Sequence, residues 1–225
     1  MNDNTLLEHA DSGAEIRPTR LAFLISGSAS HVLAVRDAIR DGVLRHCEIA
    51  IVVCNIPGAK GAEDTRAAGL QTVTMEGRGR EQRDHEDAID ALLRRLRVDI
   101  VCMAGYLRTL SSGFLRQWEG RVLGVHASLL PAFARSHPVE QALEYGVHIT
   151  GCTVFLLNDS LDGGAIVAQR VVEIDDDDTT ASLSAKLLLE EHRTYITALE
   201  RYLSGQYEFS GRRFRRTPQL VESEA

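Results

Sequence analysis

The residues best suited to chemistry are a histidine and an aspartate that lie far apart in the chain. His126 follows the apolar run 122–125, and Pro131 closes the segment that the histidine begins. Asp162 lies in a short turn, residues 161–164, between two further strand-like runs. If both side chains lie at strand ends on one edge of a sheet, an imidazole and a carboxylate meet there and can move protons. The alternative for such a histidine is a buried side chain satisfied by a backbone carbonyl.

Composition narrows the class of protein. The chain has 225 residues, 44% of them hydrophobic and 25% charged, as in an ordinary globular protein that can bury a core. Its formal net charge of -7 argues against nucleic-acid binding, which needs a basic face. No apolar run approaches the ~20 residues of a membrane span. Because the N-terminus also lacks a signal-peptide pattern, we expect a cytoplasmic protein that binds neither nucleic acid nor membrane.

The cysteines point to the same kind of protein. The chain has four, and each lies in or beside a strand-like apolar run: Cys47, Cys54, Cys102 and Cys152. They lack the close pairing of zinc ligands. We therefore predict buried free thiols and no metal site.

Short apolar runs alternate with helical patterns through the first half of the chain. Strands are predicted at residues 21–26, 48–53, 71–75, 99–103 and from 122 onward. Helices are predicted between them at residues 31–39, 62–68, 81–96 and 112–118. The alternation predicts an α/β fold, an open, mostly parallel twisted sheet with flanking helices, as in Rossmann-like proteins. Ligands bind at the carboxyl ends of the strands in such sheets, where His126 is expected.

The rhythm changes after Pro131. Two long strand-like runs, residues 149–157 and 165–174, predict an antiparallel hairpin with Asp162 at its turn. The remaining predicted elements are a helix at 138–145, a long helix at 181–203 and a last hairpin at 206–209 and 212–216. We accordingly expect three parts: a mobile leader at residues 1–18, a single catalytic domain at 19–205, and a C-terminal hairpin and tail at 206–225.

The first loop is a candidate anion site. Residues 26–30 are all small and stand between a predicted strand and a predicted helix. Such a loop presents backbone N–H groups and a helix N-terminus to an anion. A simple tight turn is the alternative reading of the same residues.

With these residues placed, the chain resembles the folate-dependent formyltransferases, and within them the glycinamide ribonucleotide branch of purine synthesis. The likeness runs from about residue 21 to residue 205. Four motifs carry it: LISGSAS at 24–30, AGYLRTLS at 104–111, VHASLLP at 125–131 and LDGG at 161–164. They are similar to the family's phosphate-binding loop, its folate-pocket segment, and the segments that hold its catalytic histidine and aspartate.

The resemblance implies an enzyme that transfers a formyl group from 10-formyltetrahydrofolate to an amine, without a metal. The amine attacks the formyl carbon, so one group must stabilise charge on oxygen and another must move protons. His126 would support the intermediate or carry the proton, and Asp162 would organise proton transfer through water. The implied folate contacts are Arg108, Thr109, Leu110, Asn158 and Asp159. The implied acceptor contacts are Ser28, Ala29, Ser30, His31, Arg135, His137 and Glu191.

The chain departs from the family pattern at Gly124, where the family has a catalytic asparagine. Losing one preorganised oxyanion donor typically costs ~10²–10³ in rate. Asn158 is the asparagine best placed to replace it. A water or His137 is the other candidate, since glycine leaves room for either, and the same room could instead admit a bulkier acceptor.

The acceptor side departs as well. Ala29 and His31 stand where the branch has glycine and asparagine, and Arg135 replaces a glycine. Leu188 stands where a polar phosphate contact is usual, and a leucine cannot hold a phosphate.

Several functions therefore stay open. The default is formyl transfer to glycinamide ribonucleotide. The alternatives are transfer to a different small amine, a folate-binding sensor or partner protein without full catalysis, and a 10-formyltetrahydrofolate hydrolase. We expect small-molecule partners only, the folate and the amine, and a monomer or homodimer.

Overall fold

A computed structural model describes residues 17–159 and 164–217 of the chain. The predicted leader falls almost entirely outside these ranges, and Asp162 with its turn lies outside them as well. The free, buried cysteines predicted from the sequence are confirmed.

Nine strands and six helices are formed by the described residues. The strands are β1 Thr19–Ile25, β2 Cys47–Cys54, β3 Thr72–Thr74, β4 Ile100–Met103, β5 Val122–His126, β6 Ile149–Leu156, β7 Ile166–Glu173, β8 Tyr207–Ser210 and β9 Arg213–Arg216. The helices are α1 Ser30–Arg40, α2 Lys60–Ala67, α3 Gln82–Arg95, α4 Ser112–Gln117, α5 Pro138–Tyr145 and α6 Thr180–Leu203.

The strands form one sheet with the order β3-β2-β1-β4-β5-β6-β7-β9-β8. The first five strands in this order are all parallel. Strands β5, β6 and β7 then pair antiparallel, and β8 pairs antiparallel with β9. The predicted α/β class, the mostly parallel sheet and both hairpins are confirmed.

Strand β1 shows why a parallel strand of this sheet is apolar at successive residues. Its residues alternate between two cores: Leu21, Phe23 and Ile25 face one, while Ala22 and Leu24 face the other. Helices α1 and α6 contribute to the first core, and α3 and α4 contribute to the second. A strand covered on both faces needs an apolar residue at every position.

The order of the sheet reverses between β1 and β4, which creates a crevice at their carboxyl ends. The loops that follow these two strands are bonded to each other there. Ser26 N donates to Gly105 O at 3.1 Å, and Leu107 N donates to Ser26 Oγ at 2.9 Å. Strand β5 lies beside β4 and ends at His126. The fold therefore brings three parts to one edge of the sheet: the first loop, residues 104–111 (from here on the folate-like segment) and His126.

The C-terminal hairpin joins the same sheet through β9, which lies parallel to β7. Phe209 of β8 packs against the first core. Gly120 faces this ring so closely that a Cβ there would lie 2.5 Å from Phe209 Cζ.

Among the helices of the described ranges, none combines the length and apolar character needed to cross a membrane.

Candidate active site

His126 is the last residue of β5, and its side chain is half-buried. Its Nε2 lies 2.8 Å from the carbonyl oxygen of Phe133. A carbonyl can only accept, so Nε2 carries the hydrogen and Nδ1 is the ring nitrogen that remains for chemistry. Phe133 holds its carbonyl there from a left-handed backbone conformation, with φ of +48°. The backbone-carbonyl partner considered for this histidine is thus present, and it orients the ring without occupying both nitrogens.

The loop after His126 is fixed by a set of hydrogen bonds to the antiparallel strands. Thr153 Oγ1 donates to Ser128 O at 2.7 Å and accepts from Leu130 N at 3.0 Å. Gln169 Nε2 donates to Thr153 Oγ1 at 2.9 Å. Ser128 Oγ closes the loop by donating to Ala132 O at 2.6 Å. Sequence reasoning missed Thr153 and Gln169. Both lie within strand-like runs that contain other polar residues, so no signal distinguished these two.

Gly124 lies two residues before His126 on the same face of β5. A Cβ at this position would lie 2.5 Å from Cδ1 of Leu157. The space over the glycine is therefore filled by a leucine side chain. Leu157 Cδ1 is the far end of a flexible side chain, so the expectation that a water, His137 or a bulkier acceptor uses this room stays a prediction, and it requires Leu157 to move.

The folate-like segment leaves β4 and runs along the N-terminal end of α3. Arg108 is half-buried and donates from Nη1 to Gly77 O. Thr109 is exposed, and its carbonyl accepts from Gln82 Nε2 at 2.9 Å. Leu110 is buried in the second core. Within this segment Thr109 is therefore exposed, while Leu110 and Arg108 fix the segment to the rest of the protein.

Asn158 and Asp159 lie together beside α4. With Leu115, Arg116 and Glu119 they line a cavity of about 210 Å³. Asp159 Oδ2 lies 3.1 Å from Arg116 Nη1. Both predicted folate contacts therefore lie where the chain leaves β6, just before the turn that contains Asp162.

Asp162 itself lies outside the described residues, so its position relative to His126 stays a prediction. Gly164 is the first residue described after this segment. A Cβ on Gly164 would lie 1.4 Å from Leu156 O, so only glycine fits at this position.

The first loop connects β1 to α1 in the way that anion loops do. Ser28 is exposed, and its Oγ accepts from Ser30 N at 3.2 Å. Ala29 is the N-cap of α1, and its methyl side chain cannot satisfy the first N–H groups of the helix. Ser28 Oγ already accepts from the first of these groups, Ser30 N, so an anion would bind the N–H groups that follow it.

His31 and Glu191 were predicted as separate acceptor contacts, yet the structure brings them together. His31 Nε2 lies 3.1 Å from Glu191 Oε2, and both side chains are largely buried. The ring of His192 meets the His31 ring edge-on, with centroids 4.7 Å apart. Burial, and then the neighbouring His31, lower the pKa of His192. This cluster flanks the first loop and ties α1 to α6.

The other acceptor-side residues differ in exposure. Arg135 and His137 are exposed in the loop between β5 and α5. His137 has left-handed φ and lies 3.7 Å from Glu140. Leu188 is partly exposed on α6, at 38%. Arg135 and His137 therefore offer charge and an imidazole in the loop that follows His126, and Leu188 offers apolar surface on α6.

The comparisons with known proteins decide the family. The formyl transferase family model matches residues 19–199, which is most of the chain. The chain belongs to the formyl transferase family. The resemblance inferred from the four motifs is thereby confirmed.

Individual relatives agree with this family. The chain is 38% identical over 192 residues to the human trifunctional purine biosynthetic protein adenosine-3, covering 85% of this chain and 19% of that protein. It is 31% identical to phosphoribosylglycinamide formyltransferase of Haemophilus influenzae, over 83% of this chain and 88% of that one. The crystal structure of glycinamide ribonucleotide transformylase 1 from Symbiobacterium toebii matches with a TM-score of 0.85, 34% identity, and coverage of 89% and 95% of the two chains. This formyl transferase therefore spans about a fifth of the human relative's length.

Proposed function

We propose that the chain transfers the formyl group of 10-formyltetrahydrofolate to the amine of glycinamide ribonucleotide, a step of purine synthesis. The observation that carries the proposal is His126 at the carboxyl end of β5, with Nε2 committed to Phe133 O and Nδ1 left for a proton. Family membership supplies the reaction type. Relatives of similar length that are named phosphoribosylglycinamide formyltransferase support the acceptor.

In this proposal the folate supplies the formyl carbon, and the chain's residues manage position and charge. The attacking amine must lose a proton, and the departing folate nitrogen must gain one. His126 Nδ1 holds or moves a proton at the reacting centre because Nε2 is fixed to a carbonyl. Asp162 is proposed as its carboxylate partner, acting through water. The backbone of residues 108–110 receives the folate, and Asn158 and Asp159 close the same side.

The acceptor is proposed to bind at the other side of His126. The N–H groups at the start of α1 offer a place for a phosphate, beside Ser28, Ala29 and Ser30. The pair formed by His31 and Glu191 lies at the same helix end and would meet the adjoining sugar. Arg135 and His137 add positive charge and a second imidazole from the loop after His126.

A second candidate function is formyl transfer to a different small amine. Two observations favour it. Glu191 Oε2 lies 3.1 Å from His31 Nε2, so one oxygen of the carboxylate faces a protein side chain and not a ribose. Leu188 presents an apolar side chain on the same helix.

One assay separates these functions. The protein is mixed with 10-formyltetrahydrofolate and glycinamide ribonucleotide, and release of tetrahydrofolate is followed by absorbance. Release that requires the ribonucleotide supports the proposal. Release that requires another amine supports the second candidate, and release without any amine indicates hydrolysis.

Binding completes the test. Folate binding in calorimetry without release under any of these conditions would mean that the chain is a folate-binding sensor or partner protein. In that case the proposed transfer is wrong.

A further inference from the structure

The folate-like segment is held from behind by the N-terminal end of α3, a contact that the proposed chemistry does not use. Gln82 Nε2 donates both to Thr109 O and to Glu86 Oε1, at 2.9 Å in each case. Thr109 is exposed and belongs to the part of the segment proposed to receive folate. One helix residue is thereby bonded to the segment's middle.

Glu86 anchors the far end of the segment. Its side chain is buried, with 5% exposure. Oε1 accepts from Ser111 N at 2.8 Å, and Oε2 accepts from Ser111 Oγ. Ser111 is in turn the N-cap of α4, where its Oγ accepts from Phe114 N at 3.2 Å. A buried carboxylate is stable only when its oxygens are satisfied, so these bonds define where Ser111 must lie.

His85 anchors the near end. It is 1% exposed, and its Nε2 lies 3.2 Å from Tyr106 Oη. Burial lowers the pKa of His85 and raises the pKa of Tyr106 to about 12, so both groups are neutral and share one hydrogen bond near pH 7. The helix end thus contacts the segment at its start, middle and end.

We propose that Glu86 is a positioning residue for the formyl donor, which together with Gln82 holds the backbone of residues 108–110 in the shape that binds folate. The inference rests on the proposed function, because it takes residues 108–110 as the folate contacts. A loop without regular structure keeps one shape only when something rigid holds it, and α3 supplies that support. Glu86 itself acts through Ser111 and does not touch the ligand.

The test compares three variants with the wild type. Glu86→Gln removes the charge and leaves a donor where Ser111 N or Oγ needs an acceptor. We expect the KM for 10-formyltetrahydrofolate and the Kd for tetrahydrofolate to rise about tenfold, from the loss of one buried charge-assisted bond. The KM for the amine and kcat should change by less than about twofold, because the reacting groups stay in place.

Gln82→Ala serves as a second variant that is expected to fold, since Gln82 is exposed. It should raise the same two folate constants about threefold, the effect of one partly exposed hydrogen bond. Asp87→Asn is the matched control on the same helix, with a carboxylate that is 65% exposed. It should leave every constant at the wild-type value.

Each outcome has a defined meaning. Wild-type folate affinity in a folded Glu86→Gln variant would overturn the inference, as would equal losses for folate and amine. If Glu86→Gln does not fold, unchanged folate binding by Gln82→Ala overturns it instead. A wild-type protein that binds no folate would overturn the proposed function, and that result is distinct because it appears before any variant is made.

Discussion

The chemistry proposed for His126 depends on which ring nitrogen faces the substrates. Nε2 is held by Phe133 O at 2.8 Å, so the side chain is already oriented before any ligand binds. An orienting hydrogen bond of this kind also defines the tautomer, and Nδ1 is then the atom that takes or gives a proton. This arrangement ties the activity to one side chain and to one backbone carbonyl.

Replacing that side chain should therefore separate catalysis from binding. We expect His126→Asn to lower kcat by about 10²–10⁴-fold, the usual contribution of a positioned acid or base. The Kd for tetrahydrofolate should stay within about threefold of wild type. Steady-state kinetics and calorimetry measure the two quantities. His148→Asn is the control, because His148 is exposed at the start of β6. A kcat that survives in His126→Asn would show that the proton is carried elsewhere.

A side chain at position 124 would affect the stability of the protein as well as its chemistry. We expect Gly124→Asn alone to lower the free energy of unfolding by about 1 kcal/mol, because the end of the Leu157 side chain must move to admit the new Cβ. Adding Leu157→Ala should remove the overlap. The double variant should then be at least as stable as Gly124→Asn, although Leu157→Ala alone destabilises.

Urea unfolding of the wild type, both single variants and the double variant measures this coupling. Additive losses would mean that Leu157 does not limit the space over Gly124. If an asparagine amide can serve the formyl oxygen here, turnover should rise in the double variant more than in Gly124→Asn.

Helix α3 contains a buried histidine, so we expect the stability of the protein to depend on pH. His85 is buried, so its folded pKa is lowered while its unfolded value is 6.5. As pH falls through 6.5, the unfolded chain takes up a proton that the folded chain does not, and stability decreases. The loss continues until pH reaches the folded pKa. The pKa of His192 is lowered in the same direction, so it contributes a loss of the same sign.

The measurement is the urea midpoint at pH 7.5 and pH 5.5. We expect His85→Phe to reduce the difference between the two midpoints, because phenylalanine fills the site without titrating. The difference should not vanish, since His192 remains. His148→Phe, at an exposed position, should leave the difference unchanged. An unchanged difference in His85→Phe would mean that His85 is protonated equally in both states.

The elements were largely predictable because local signals agree with the fold. Helix α5 begins and ends where predicted, with Pro138 in its first turn and Gly146 at φ of +73° after its last residue. The apolar runs located β1, β2 and β4 to within two residues, because a strand covered on both faces is mostly apolar along its length. Helix ends and strands that have a local steric cause can thus be predicted from the sequence.

The parts of the site that depend on distant contacts were not readable in this way. His31 and Glu191 pair across most of the chain, and no local pattern marks either as the other's partner. Phe133 adopts φ of +48° although it is not glycine, so its loop carries no sequence signal. Glu86 looks like an ordinary charged helix residue until Ser111 is brought beside it. Local patterns placed His31, Glu86 and Glu191 in helices, and tertiary packing decided what these residues contact.

At the scale of the whole molecule, the candidate site lies where the parallel and antiparallel halves of the sheet meet. The parallel half supplies the first loop and the folate-like segment. The antiparallel half supplies Thr153 and Gln169, which hold the loop after His126. The C-terminal hairpin extends this second half, because β9 pairs with β7. We therefore expect the hairpin to share one cooperative unit with the rest of the sheet.

Phe209 tests that expectation, because it connects the hairpin to the first core and packs over Gly120. We expect Phe209→Ala to lower the free energy of unfolding by about 2 kcal/mol, since the ring is only half-buried. Glu208→Ala, exposed on the same strand, should change it by less than about 0.5 kcal/mol.

The readouts are the fluorescence of Trp118, the single tryptophan, and far-ultraviolet circular dichroism. Trp118 lies in the second core, on the opposite face of the sheet from the hairpin contact. Coincident urea transitions, both shifted by Phe209→Ala, would show that the loss at the hairpin is felt across the sheet. If the Trp118 transition stays at the wild-type midpoint while the dichroism changes, the hairpin unfolds separately and its pairing with β7 contributes nothing to the core.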